Sequence, residues 1–443
     1  YKENQRINSN NFIGPSSYTL QMENIIDNEN LDLTSPNIRN NYTVTDKADG
    51  ERNLLYINET GKIYLIDTNM NILYTGTQTF EKTIFNSLLD GELIKHNKLG
   101  EYINLFAAFD VYFINEKSVR DLPFILYNAE DSETKYRLPL LYKFVDLIQP
   151  ISILENIGSG EVKPKKNTKP CHFRIECKAF YYNIENKTIF DGCSKILSNI
   201  KDGIFEYNTD GLIFTPALLA VGANNINDKA CSLQKTTWDY SFKWKPAEFN
   251  TIDFLVSVKK NKMGKDEIHH IFEDGTNLER SKTIQQYKTL ILRCGFSEKK
   301  HGFLNPYQDV LDDTNVNITD IDNENTYKPV PFQPTNPRDP NAYLCNILLN
   351  ENNSNLIMKT EEGEVFDENM IVEFKYDLNN KEGWKWIPLR VRYDKTAEFL
   401  SKTKKNYGNA YHVANSNWHS IHNPITENMI STGNDIPYNI DAI

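Results

Sequence analysis

The chain has 443 residues, a quarter of them charged, with 49 Lys and Arg against 60 Asp and Glu for a formal net charge of −11. That length favours two or three domains, each with room for a buried core, and excludes one small module. The acidic balance excludes a global basic field for nonspecific nucleic-acid binding, so any phosphate site must be a local cluster.

After Thr43, alternating apolar and polar residues run from Asn53 to Ile57, Lys62 to Ile66 and Asn71 to Tyr74, broken by Gly61 and by Asp67 to Asn69. This spacing predicts an antiparallel meander, with Lys47 just ahead of its first strand, on a rim. Leu88 to Ile94 and Phe106 to Phe113 read as further strands, and Ile151 to Asn156 and Ile189 to Ile200 have helical spacing, with a strand at Phe173 to Tyr182 between them. Such a mixture argues for an α+β domain with largely antiparallel sheets, taken here as residues 1–246. Beyond Pro246, Thr251 to Val256 opens a region of short strands and long polar loops, read as a barrel-like β domain over 247–401. Residues 304–341, rich in Pro, Asn and Asp, read as a long loop insertion without its own core. Strand character returns at Ala342 to Leu349, Ile371 to Tyr376 and Trp386 to Val391, and 402–443 reads as a polar C-terminal extension.

Several attractive features read as bystanders. Asp313, Asn315, Asn317 and Glu324 fall at calcium-loop offsets, but Ile318 stands where glycine is needed and no helices flank the run. The basic run at 163–169 and the acidic run at 309–324 read as solvated loops, whereas 259–265 and 402–405 remain basic clusters of either kind. His269 with His270, and His419 with His422, lack companions that would complete a metal site. The six cysteines include no C-x-x-C pair and no zinc spacing, so reduced thiols are expected. The longest apolar stretch, Gly211 to Ala223, contains Pro216 and is shorter than the ~20 residues that cross a bilayer, which predicts a soluble, cytoplasmic protein without membrane contact. No signal segment opens the chain, and its first residue is Tyr1, which suggests a piece of a longer polypeptide.

Chemistry concentrates in short segments. Lys47-Ala48-Asp49-Gly50-Glu51-Arg52 sets a lysine beside acids, a glycine and an arginine. A lysine attacks phosphorus only as the neutral amine, so neighbouring cations are needed to disfavour its ammonium and to neutralise charge on the phosphoryl oxygens. Cations and acids recur at Asp90-Gly91-Glu92, Phe109-Asp110, Asp210-Gly211-Leu212-Ile213-Phe214, Lys243-Trp244-Lys245-Pro246 and Arg390-Val391-Arg392-Tyr393-Asp394-Lys395. Lys243 and Lys245, two apart on a strand, point to one face and suit a phosphate, while Trp244 points to the other and into a core. No G-x-x-x-x-G-K-Ser/Thr loop is present, so P-loop chemistry is not expected.

In this order the segments resemble the motifs of the covalent nucleotidyltransferase superfamily, and within it the mRNA capping guanylyltransferases, from Lys47 to Lys395. Val413-Ala414-Asn415 and Pro424-Ile425-Thr426 extend the likeness to the large poxvirus and giant-virus capping enzymes, whose viral factory or virion would be an alternative location. The resemblance implies a nucleotidyltransferase domain, ATP-grasp-like, followed by a C-terminal OB-fold barrel. It also implies that Lys47 takes GMP from GTP with Mg²⁺ or Mn²⁺ and passes it to a 5′-diphosphate RNA end. Arg52 and Glu92 would hold the ribose, Phe109 would stack on the purine, and Asp210 would work through the metal near the α-phosphate. Lys243 and Lys245 would hold that phosphate, and Arg392, Asp394 and Lys395, with Arg390 as companion, would contact the outer phosphates. The likeness leaves room for triphosphatase and methyltransferase domains in the same polypeptide. An ATP-dependent polynucleotide ligase is the enzyme alternative, disfavoured by Asp210 where ligases more often carry glutamate and by Pro246. An inactive descendant that binds RNA or a partner is the other, disfavoured because every charged motif residue is present.

Overall fold

The computed structural model describes residues 7–27, 36–125, 132–152, 171–183, 187–272, 284–301, 327–352, 355–401 and 406–436. The chain forms two units, Tyr1–Pro246 with Ile425–Ile443, and Ala247–Pro424.

The strands of the first unit are β1 (Ser16–Thr19), β2 (Tyr42–Ala48), β3 (Glu51–Ile57), β4 (Lys62–Asp67), β5 (Ile72–Gln78), β6 (Ser87–His96) and β7 (Tyr102–Ile114). They continue with β8 (Lys117–Ser118), β9 (Ile151–Ser152), β10 (Arg174–Cys177), β11 (Tyr181–Tyr182), β12 (Thr209–Pro216) and β13 (Thr237–Trp244). One sheet has the order β1-β13-β12-β2-β11, and the other β10-β7-β6-β3-β4-β5-β9 with β8 on β7. Pairing is antiparallel except for β1 on β13 and β10 on β7. The expected meander is β3, β4 and β5.

Each sheet buries one face under a helix. In α2 (Ile189–Lys201) the buried Ile189, Phe190, Cys193, Ile196 and Leu197 recur at helical spacing and pack with Val44, Leu212, Phe214, Phe242 and Trp244. Asp191 accepts from the Thr188 N–H at 2.7 Å and satisfies one otherwise orphan donor at the helix start. In α1 (Arg137–Ile148), Leu138, Leu141, Phe144 and Ile148 pack with Leu89, Phe106, Ala108 and Val111 of the second sheet. Because side chains alternate along a strand, residues one position away from these cores are left to line the unit's pocket.

Four expectations are corrected. Lys47 lies within β2 and not ahead of a strand, because β2 continues to Ala48 against β12. Ile151 and Ser152 form β9 on β5, not the start of a helix, and 153–156 lie outside the described residues. The run Phe173 to Tyr182 is not one strand: β10 joins β7 and β11 joins β2, so the chain changes sheets between them. The stretch 402–443 is not an appendage, because Ala414 and Trp418 belong to the second unit's core while Ile425 and Ile430 belong to the first.

In the second unit the strands are β14 (Thr251–Val258), β15 (Ile268–Phe272), β16 (Ile284–Phe296), β17 (Lys328–Pro331) and β18 (Leu344–Leu348). They are followed by β19 (Asn350–Asn352), β20 (Asn355–Lys359), β21 (Val365–Phe366), β22 (Ile371–Tyr376) and β23 (Trp386–Val391). The main sheet runs β15-β16-β14-β22-β23, all antiparallel, with β17 and β18 also on β16. It surrounds an apolar core that includes Phe254, Phe374, Trp386 and Trp418. The region read as a coreless insertion contributes β17 and the fully buried Phe332 to this core. The calcium-like offsets and the acidic run fall at 304–326, and the basic runs at 163–169 and 402–405, all outside the described residues. In the basic run at 259–265, Lys260 pairs with Asp266 and Glu368 at 2.5 and 2.8 Å. Three of the cysteines are buried and three partly buried, all of them free. Among the described residues no helix is long and apolar enough to cross a membrane.

Candidate active site

Lys47, Asp210 and Lys245 form one rung across the first sheet. Lys47 Nζ lies 2.6 Å from Oδ1 of Asp210, and Lys245 Nζ lies 2.7 Å from Oδ2 of the same carboxylate. A break in register produces this arrangement: Thr209 pairs with Ala48 and Leu212 with Asp46, so Asp210 and Gly211 together face Lys47 alone and β12 carries one extra residue. Gly211 has φ +147°, and a Cβ there would lie 1.9 Å from the Trp244 carbonyl oxygen. Only glycine fits that turn. Burial opposes ionisation of Asp210, but Lys47 and Lys245 outweigh it and hold the carboxyl below its ordinary range.

The next rung is Thr45, Ile213 and Lys243, in register across β2, β12 and β13. All three line a pocket of about 280 Å³ together with Lys47, Arg52, Glu92, Phe109 and Lys178. Trp244, between the two lysines, is buried on the opposite side and donates its indole N–H to the Ile425 carbonyl at 2.8 Å, as the alternation predicts.

The second sheet supplies the facing wall. Arg52 on β3 and Glu92 on β6 are register partners, which sets a donor fork beside a carboxylate. Gly50 makes that approach possible, since a Cβ there would come within 2.7 Å of Glu92 Cγ and 2.8 Å of the Leu93 carbonyl oxygen. Phe109 is the extra residue of a bulge in β7: Asp90 pairs with Asp110, but Gly91 pairs with Ala108. The bulge re-aims its ring into the pocket. Asp110 anchors it, accepting at 2.9 Å from the fully buried Arg137 of α1.

Glu92 is pushed up to about 7, because burial outweighs the opposing pull of Lys178, Arg52 and Lys47. Lys178 is itself buried, donating to the Asp46 carbonyl at 2.5 Å and lying 3.0 Å from the Asp46 carboxylate.

Residues 8–128 match the family model described as mRNA capping enzyme, catalytic domain, a span that holds Lys47, Arg52, Glu92 and Phe109. A protein of Acanthamoeba polyphaga mimivirus named Probable mRNA-capping enzyme is 29% identical, with 94% of this chain and 34% of that protein covered. The chain resembles the mRNA capping enzymes. The mRNA-capping enzyme of Danio rerio is 22% identical over 60% of this chain and 40% of its own length, so the chain spans only about a third to two fifths of these relatives. A solved structure of mycobacterial DNA ligase D complexed with ATP and MES aligns with 88% of this chain and 97% of its own at 10% identity and a TM-score of 0.36, too distant to carry an argument.

The segment Arg390 to Lys395 lies in the second unit, and its cations are locally neutralised. Arg392 donates to Asp253 at 2.8 Å, Lys395 pairs with the same carboxylate oxygen, and Arg390 donates to Glu373 at 2.7 Å. Burial disfavours the Glu373 carboxylate, but Thr251 and Arg390 more than compensate and hold it below its usual range. Asp394 is exposed, 3.5 Å from Arg392.

Four residues were given no role by the sequence reading, although Asp90 lies in a segment marked there: Lys178, Asp90, Tyr112 and Asp253. Asp253 is an acid inside an apolar run, a signal that would have found it. Lys178 and Tyr112 sit in ordinary strand-like sequence and carry no local signal.

Among the described residues no group of three or more His, Cys, Asp or Glu is poised around a metal. Asp210 offers one carboxylate, with both oxygens on ammonium groups. That fits a hard divalent ion that takes one protein carboxylate and completes its shell with phosphate and water, and not a caged metal. His269 and His270 lie on the edge strand β15, and His422 packs on Trp418, so neither pair forms a site.

Proposed function

We propose that this chain is a GTP:RNA guanylyltransferase that forms a lysyl-GMP intermediate at Lys47 and transfers GMP to the 5′-diphosphate end of RNA, giving a GpppN cap. The observation that carries the reading is Asp210 shared between Lys245 and Lys47, the latter lining the pocket of about 280 Å³.

Phe109 supplies a ring face for the purine, worth ~1 to 3 kcal/mol when a base stacks on an aromatic. Arg52 and Glu92 offer donors and an acceptor for ribose hydroxyls. Lys243, which lines the pocket, and Lys245, just beyond the end of β13 and paired with Asp210, take the α-phosphate oxygens. As an ammonium paired with Asp210, Lys47 cannot attack, so the step requires that proton to leave. Lys47 Nζ then forms a bond to the α-phosphorus, the bond to the β-phosphate bridging oxygen breaks, and pyrophosphate departs. In the second half-reaction the RNA β-phosphate oxygen attacks the same phosphorus and the lysine amine leaves. Mg²⁺ or Mn²⁺, held by Asp210, would neutralise charge on the phosphoryl oxygens. Arg390, Arg392, Asp394 and Lys395 serve the leaving pyrophosphate. A viral cytoplasmic setting follows the mimivirus source of one relative, and triphosphatase and methyltransferase activities elsewhere in a longer polypeptide accord with that relative's greater length.

Incubation with α-labelled GTP or ATP tests the reading. The expected outcome is a covalent label from GTP, absent in Lys47→Ala. Labelling by ATP and none by GTP would favour the ligase alternative, and no label from either would favour the inactive descendant.

A further inference from the structure

Arg52 is held by more than its strand. Its Nε and Nη2 donate to the two carboxylate oxygens of Asp90 at 3.1 and 2.5 Å, and Nη1 donates to the Pro15 carbonyl at 2.8 Å. Its guanidinium also lies 5.6 and 5.5 Å from the ring centres of Phe12 and Phe109. A guanidinium has five N–H donors, so two remain for a ligand. Their direction is set by Asp90, whose side chain is fully buried.

A second residue fixes Asp90. The buried Tyr112 phenol donates at 2.5 Å to Oδ2 of Asp90, the same oxygen that receives Nη2 of Arg52. Burial, then the charge of Asp90, drives the phenol's ionisation far above its ordinary range, so it stays a donor. The buried Arg120 lies 5.7 Å from the centre of its ring. Tyr112, Asp90 and Arg52 thus form a buried relay that ends at the pocket, where Arg52 stands beside Glu92.

We propose that Tyr112 is a positioning residue which, through Asp90, aims the free donors of Arg52 at the ribose hydroxyls and so sets the preference for a ribonucleotide over a deoxynucleotide. A hydroxyl both accepts and donates, and a guanidinium edge next to a carboxylate complements both roles of a vicinal diol. Removing the phenol hydroxyl takes one of the two donors from Oδ2 of Asp90 in a buried site, and the carboxylate can rotate with the arginine attached. Tyr112 itself borders the pocket, and the route proposed for it runs through Asp90 and Arg52 and not through direct contact with the nucleotide. The inference rests on the nucleotidyl-transfer reading, because the ligand at Arg52 is taken to be the ribose.

The test compares adduct formation from GTP, 2′-deoxy-GTP and 3′-deoxy-GTP in the wild-type chain and in Tyr112→Phe, whose fold is checked by thermal unfolding. The expected result for Tyr112→Phe is a KM for GTP raised about tenfold with a maximal rate within about twofold, and a ribo-over-deoxy preference reduced towards unity. In an Arg52→Lys background the added Tyr112→Phe should leave that preference unchanged, since the relay already lacks its end. A Tyr112→Phe protein that loses activity equally towards all three nucleotides overturns the inference, as does a wild-type protein with no preference among them. If the wild-type chain labels with no guanine nucleotide at all, the functional reading has failed first.

Discussion

Lys47 and Lys245 share one carboxylate, that of Asp210, at 2.6 and 2.7 Å. Two ammonium groups and the nearby Lys243 would repel without it, so Asp210 organises the cationic site before any phosphate arrives. It also keeps the proposed nucleophile in an ion pair. For Asp210→Asn we expect the rate of GMP adduct formation to fall by about 10² to 10³, the loss typical of a preorganised electrostatic group. Single-turnover labelling with α-labelled GTP measures it, and a rate within threefold of wild type contradicts the role.

Glu92 makes a pH prediction with a definite sign. Its folded pKa, about 7, lies above the ordinary carboxylate value. The native state therefore holds a proton that the unfolded chain releases, and Glu92 lowers stability as pH rises from the unfolded value towards 7. Glu92→Gln should abolish that decline, gaining on the order of 2 kcal/mol over wild type at pH 8 relative to pH 4.5 in denaturant titrations. GTP binding should behave in the opposite way: the ionised acceptor is wanted, so affinity should rise through about pH 7 in wild type and stay low and flat in Glu92→Gln.

Gly211 separates folding from chemistry. Its φ of +147° and the 1.9 Å approach to the Trp244 carbonyl oxygen leave no space for a side chain. Gly211→Ala should cost about 2 to 4 kcal/mol of unfolding free energy and pull Asp210 from between the lysines. A variant that melts with the wild-type protein would show that β12 relaxes around the methyl group.

What could be read from sequence was local, and what could not was the set of partners. Lys47 to Arg52, Asp210 and the Lys243 and Lys245 pair announce themselves because their chemistry is written in adjacent residues. Period-two alternation placed Trp244 in the core and the lysines opposite it, and the structure agrees. Phe109 was legible as an aromatic candidate, but its entry into the pocket depends on an extra residue relative to β6, which no pattern within β7 reveals. Tyr112 and Asp90 meet 22 residues apart, and Lys178 reaches Asp46 from 132 residues away. The return of Ile425 to the first unit is likewise a packing event, invisible in a polar tail.

The last motif permits a prediction that divides the two half-reactions. In the second unit Arg392 and Lys395 both rest on Asp253, which is nearly buried and enters no other assigned role. If these cations serve the outer phosphates of GTP, they act only while pyrophosphate is being displaced. Arg392→Ala should then slow adduct formation from GTP by about 10². The same variant, given GMP on Lys47 by prolonged incubation and freed of nucleotide, should pass GMP to diphosphate-ended RNA at close to the wild-type rate, because no outer phosphate leaves in that step. The stability cost should be small, as Lys395 still neutralises Asp253. Rapid-quench measurement of each half-reaction decides the matter: equal slowing of both steps would place Arg392 at the α-phosphate, and slowing of RNA transfer alone would assign it to the acceptor end.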